Sequence, residues 1–270
     1  MGKGRNSSFS SWTIREIETY LQDQTDIEST TIKQLQGDVR IGVRDLIARH
    51  LKRQNNEVKT VEHLHRLTQR ERTLEARGFV KIAGVDEAGR GPLAGPVVAA
   101  AVILDPASRL LCRHVDDSKK LTPQKRSELF DMIIRYALAV QTAVIDADRI
   151  DQVNVYRASL EAMQQAVNDL PLQPDFVLTD GFLIPGIHIP QEAIKGGDAL
   201  CLSISAASII AKVTRDRMMD EYNSRYKGYG FDKNKGYPTA EHRNAIELLG
   251  LTPIHRKSFS SNKLKGTSLG

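Results

Sequence analysis

Ile82-Ala83-Gly84-Val85-Asp86-Glu87-Ala88-Gly89-Arg90-Gly91-Pro92 decides how this chain is read. An apolar run of strand composition ends in two adjacent carboxylates, and a Gly-Arg-Gly turn follows at once. In an open α/β sheet, ligands collect beyond the carboxyl ends of the strands. A strand that delivers an acidic pair into a tight, cationic turn suits a divalent cation held beside a phosphate. Successive strand residues face opposite sides of a sheet, so Glu87 joins Asp86 only if the chain turns immediately. Residues 88–92 supply that turn. The glycines around Arg90 let the backbone come close to a sugar or phosphate oxygen. Arg90 itself either pairs with a carboxylate or faces a phosphate.

Further along, Asp175-Phe176-Val177-Leu178-Thr179-Asp180-Gly181 repeats the form of the first strand: an apolar run, an acidic end, then glycine. Asp198 follows Lys195-Gly196-Gly197 and opens a long helical pattern. Asp86, Glu87, Asp180 and Asp198 contain no histidine or cysteine among them. Such an all-oxygen set selects Mg²⁺ or Mn²⁺ over zinc. Two cations would relieve the mutual repulsion and provide the two-metal route to phosphodiester cleavage. Taken singly, Asp198 reads equally well as a helix cap and Asp180 as an Asx-type turn.

The surrounding pattern is α/β from Phe79 onward. Strands are expected at 80–86, 96–104, 138–146 and 175–180, and helices at 123–137, 154–169, 198–225 and 239–249. The first two strands form a hairpin, and helices between the later strands imply parallel crossovers. Residues 1–78 are polar, charged and helical in pattern. Thr13 and Glu16 form a capping box ahead of Ile14, Ile17 and Leu21. Val43, Leu46 and Ile47 mark a second helix, and residues 64–76 a third, ended by Gly78.

The 270 residues are 40% hydrophobic, enough for one large domain with an appendage, and only 6% aromatic. The net charge of +5 favours a polyanionic partner. Cys112 and Cys201 lack metal-type spacing, which suits a reduced, cytoplasmic protein. The longest apolar stretch, residues 97–104, is too short for a membrane span, so no membrane partner is expected. Asp117-Ser118-Lys119-Lys120-Leu121 is a basic turn that either faces a phosphate or is simply solvated. In the helix after Asp198, Ser203, Ser205 and Ser208 allow close packing, while Lys212 and Arg215 read as surface charges, some facing a ligand. Tyr237, in the turn Gly236-Tyr237-Pro238-Thr239, either packs as core or stacks on a sugar or base.

Together these segments resemble bacterial ribonuclease HII, the type 2 ribonuclease H. The resemblance covers about residues 60–260. It rests on residues 84–96, Asp117-Ser118-Lys119-Lys120-Leu121, Thr179-Asp180-Gly181, residues 205–216, Gly236-Tyr237-Pro238-Thr239 and His255-Arg256. It implies a ribonuclease H-like fold, with a five-stranded mixed β-sheet flanked by helices, at residues 71–262. A helical extension at 1–70 and a tail at 263–270 complete the chain. The resemblance implies Asp86, Glu87, Asp180 and Asp198 as catalytic carboxylates that bind Mg²⁺ or Mn²⁺. It implies Gly89, Arg90 and Gly91 as readers of a ribose 2′-hydroxyl and Tyr237 as the ring that stacks at an RNA–DNA junction. Lys119, Lys120, Ser205, Lys212 and Arg215 are expected to contact phosphate or nucleic acid. The implied reaction is hydrolysis of RNA in RNA–DNA hybrids, and cleavage 5′ of single ribonucleotides in duplex DNA. It leaves a 3′-hydroxyl and a 5′-phosphate, and serves primer removal and ribonucleotide excision. The enzyme is expected to act as a monomer. Two positions depart from the family: an extra glycine in Lys195-Gly196-Gly197-Asp198, and Leu200 where a basic residue is common. The sibling ribonuclease HIII usually has a β-rich N-terminal domain and lacks the tyrosine. A non-catalytic nucleic-acid binder is the remaining alternative, but it has no use for carboxylates facing phosphate.

Overall fold

The computed structural model describes residues 9–24, 27–107 and 122–259. Two compact units divide between His63 and Leu64. The expected boundary was at 70/71, and the expected tail at 263–270 lies outside the described residues.

The first unit is helical. Helix α1 (Ile14–Asp23) begins with the capping box: the Thr13 amide donates to Glu16 Oε2 at 2.8 Å, and the Glu16 amide donates to Thr13 Oγ1 at 3.2 Å. A short helix α2 (Ser29–Gln36), not expected from the sequence, and the long α3 (Ile41–Leu67) follow. Ile17, Leu21, Leu35, Val43, Leu46 and Ile47 form the core of this unit.

The second unit takes in the last turn of α3, from Leu64, and then α4 (Gln69–Glu75), after which Gly78 turns the chain at φ +96°. A five-stranded mixed sheet then forms in the order β3-β2-β1-β4-β5. Strand β1 (Ile82–Ala88) pairs antiparallel with β2 (Val97–Leu104) and parallel with β4 (Phe176–Asp180). Strand β5 (Gln191–Ile194) extends the parallel edge. Helix α5 (Pro123–Tyr136) leads directly into β3 (Ala137–Ile145). Here the sequence expectation fails: β3 is antiparallel to β2, not joined to it by a parallel crossover. Leu104 at the end of β2 pairs with Ala137 at the start of β3, so the intervening chain returns to the strand end it left.

Every residue of β2 is buried, because helices cover both faces of the sheet. Ala83 and Val85, with alternate residues of β2, pack under α6 (Ala147–Val153) and α7 (Val155–Asn168). The opposite face packs on α5 and on α8 (Leu202–Arg225). Gly84 is what brings α8 onto β1. A Cβ there would lie 2.0 Å from the Ser203 carbonyl carbon. Strand alternation then puts Asp86, two residues on, over the same helix. The short α9 (Phe231–Asn234) and α10 (Ala240–Leu249) complete the unit.

Candidate active site

Asp86 and Asp180 stand at the same edge of the sheet. Val85 pairs with Thr179 across the parallel β1–β4 ladder, so the next residue on each strand is a carboxylate. Glu87 follows, with its amide donating to Asp86 Oδ1 at 2.7 Å. Asp86 is only 5% exposed. Burial, then the charge of Glu87 and then that of Asp180, push its carboxyl well above the ordinary range, against a hydrogen bond from Ser208. Burial also raises Glu87, while Arg90 opposes the rise and Asp180 adds to it. Arg90 Nη1 donates to Glu87 Oε1 at 3.2 Å, and its guanidinium lies 5.2 Å from the Phe182 ring. Arg90 therefore pairs with a carboxylate and still borders the cleft.

These groups open onto a cleft of about 370 Å³. Its wall includes Asp86, Glu87, Gly89, Arg90, Gly91, Asp180, Lys212 and Tyr237. Arg126 and Ser208, neither singled out from sequence as ligand contacts, line it too. Ser208 and Lys212 are one helical turn apart on α8, a spacing that carried the signal for a shared face. Lys212 Nζ donates to Asp216 Oδ1 at 2.7 Å and lies 5.9 Å from the Tyr237 ring. Tyr237 is 42% exposed, with its ring edge beside Gly91.

Asp198 is not among the residues that line this cleft. It is buried in the 3-10 turn Gly197–Ala199, and its carbonyl accepts a hydrogen bond from Ser205 Oγ. Helix α8 starts later, at Leu202 behind Cys201, so Asp198 does not cap it. Its neighbour Gly197 ties the turn to the cleft carboxylate, donating its amide to Asp180 Oδ1 at 2.7 Å.

Two expected nucleic-acid contacts are corrected. Ser205 is fully buried, and its hydroxyl is turned to the Asp198 carbonyl. Arg215 is also fully buried, and its guanidinium donates to the carbonyls of Pro96, Lys235 and Ala94 at 2.9–3.1 Å. Neither side chain reaches a phosphate, because α8 turns that face into the protein. Lys119 and Lys120 lie outside the described residues.

Among the described residues no three His, Cys, Asp or Glu side chains form a ready-made metal cage. The donors at hand still fit a hard cation. Mg²⁺ keeps several waters and needs only one or two carboxylates plus substrate oxygens. Glu87 Oε2 is buried and accepts no hydrogen bond among the described residues, as suits an oxygen kept for a cation.

A family model described as Ribonuclease HII matches residues 83–262, and one described as Ribonuclease HII N-terminal domain matches residues 13–75. Ribonuclease HII of Bacillus licheniformis is 46% identical over 251 residues, covering 93% of this chain and 97% of that protein. Ribonuclease HII of a Geobacter species is 58% identical over 187 residues, covering 69% and 80%. The crystal structure of ribonuclease H2 from Pyrococcus horikoshii matches with a TM-score of 0.60 at 29% identity, over 68% of this chain and 96% of that one. The fold is therefore ribonuclease H-like. Fold and matched span agree that the chain belongs to the ribonuclease HII family, the hydrolases of RNA paired with DNA.

Proposed function

We propose that this enzyme cuts the RNA strand of RNA–DNA hybrids and also cuts duplex DNA on the 5′ side of a single embedded ribonucleotide. Water attacks phosphorus, the bond to the upstream O3′ breaks, and the products carry a 3′-hydroxyl and a 5′-phosphate. Asp86, Glu87 and Asp180 would hold Mg²⁺ or Mn²⁺, and Asp198 lies in the turn that anchors Asp180. When bound, the cations activate water and stabilise the leaving oxyanion. The Gly89-Arg90-Gly91 backbone meets the ribose 2′-oxygen, the one group that tells RNA from DNA at that sugar. Tyr237 stacks on the sugar that follows, while Lys212 and Arg126 face the phosphates. Primer removal and ribonucleotide excision are the processes that need such a cut.

One observation carries this reading. The buried Asp86 and the half-buried Glu87, both with raised carboxyls, open with Asp180 on the same cleft as the Arg90 loop and the Tyr237 ring. A pure nucleic-acid binder is poorly served by such a cluster facing phosphates. The test is cleavage of a duplex containing one ribonucleotide, with Mg²⁺ and with chelator. A single cut 5′ of the ribonucleotide, only with the cation, supports the reading. Binding without cutting defeats it.

A further inference from the structure

Arg256 is fully buried beneath the loop that joins β1 to β2. Its guanidinium donates to four loop carbonyls: Nε and Nη2 to Gly95, Nη1 to Arg90 and Pro92, and Nη2 to Gly89. Arg215 holds the far end, through the carbonyls of Ala94 and Pro96. The fit between arginine and loop is close. A Cβ on Gly89, whose φ is +99°, would sit 2.3 Å from Arg215 Nε.

In a trans peptide the carbonyl and the next amide point in opposite directions. Arg256 draws the Gly89 and Arg90 carbonyls inward. The amides of Arg90 and Gly91, which share those two peptide planes, must then point outward. Neither amide donates to any group among the described residues, and both residues border the cleft. A charge on the carbonyl side also polarises each peptide and strengthens its amide as a donor.

We infer that Arg256 and Arg215 are positioning residues for ribonucleotide recognition: they pin the loop carbonyls inward and so aim the Arg90 and Gly91 amides at the 2′-oxygen of the substrate. The inference rests on the proposed function and adds to it a cause for the loop's orientation. Arginine supplies a planar fork that binds several carbonyls at once, and lysine does not.

The test measures binding of two duplexes that differ only in one 2′-hydroxyl, with Ca²⁺ in place of Mg²⁺ to suppress cutting. Full-length wild type, Arg256→Lys and Arg215→Lys are compared, with thermal melting as the check on folding. The inference predicts that wild type prefers the ribonucleotide duplex. It predicts that Arg256→Lys loses about tenfold of that preference, binds the all-DNA duplex as wild type does, and still melts cooperatively. Arg215→Lys is expected to lose less. A purely structural role would lower the folded fraction and leave the preference intact, and that result overturns the inference. So does loss of cooperative melting in both variants. A wild type with no preference that also fails to cut in Mg²⁺ refutes the proposed function itself. A wild type that cuts, beside variants that discriminate equally well, refutes only this inference.

Discussion

The Gly197 amide donates to Asp180 Oδ1 at 2.7 Å, so the turn between β5 and α8 holds the carboxylate at the end of β4. The link gives a purpose to the doubled glycine at 196 and 197. Gly196 takes the left-handed conformation at φ +70°, and the next amide then reaches the acid. Asp180→Asn keeps an oxygen for that amide and loses the charge. We expect this variant to fold normally and to bind Mn²⁺ about tenfold more weakly or worse, as measured by calorimetry. Unchanged affinity would remove Asp180 from the cation site.

Asp86 and Glu87 are both raised in the folded chain, so the fold holds their protons to higher pH than the unfolded chain does. Their contribution to stability is complete below about pH 4, the ordinary carboxylate value, and is lost as pH rises through the raised folded values. In chelator, Asp86→Asn should therefore melt above wild type, by a margin that grows from about pH 4 toward neutrality. The buried His255 is pulled down to about 4 by burial and by His242, which favours folding in the opposite sense as pH rises. That effect is common to both proteins and cancels in the difference. Thermal melts across this range check the prediction, and a margin that shrinks with pH contradicts it.

Gly84→Ala should cost about 3 kcal/mol or more, because the new methyl meets the α8 backbone and not a side chain that could swing aside. The denaturant midpoint reads this directly. A loss below about 1 kcal/mol would mean that α8 is free to shift.

Tyr237→Ala should reduce cutting at a single ribonucleotide by about 10-fold or more, given typical ring-stacking energies, and reduce cutting of long hybrids less. The exposed ring beside Gly91 supports a contact with the substrate, in contrast to a core role. Steady-state rates on the two substrates decide it, and equal losses would deny the ring a junction-specific role.

Much of this arrangement was readable before any coordinates. The acidic ends of two apolar runs, at Asp86 and Asp180, located the site because apolar periodicity marks strands and parallel pairing aligns their ends. Other features were not readable. Strand β5, four half-buried residues with two polar side chains, carries no alternation to detect. Arg215 reads as surface charge because sequence does not show which helix face turns inward, and nothing in the motif His255-Arg256 shows that Arg256 is buried. Their partners are backbone carbonyls, which leave no trace in residue type. Strand β3 stands where the sequence places it, but its antiparallel direction was not readable, because a helix between strands normally signals a crossover.

The most direct test of the account is cleavage of a DNA duplex containing one ribonucleotide by wild type and Asp86→Asn, each with and without Mg²⁺. The account predicts a single cut 5′ of the ribonucleotide by wild type with Mg²⁺, no cut without it, and a rate lower by about 10³-fold in the folded variant. Wild-type turnover by Asp86→Asn, or cutting by wild type in chelator, would contradict it.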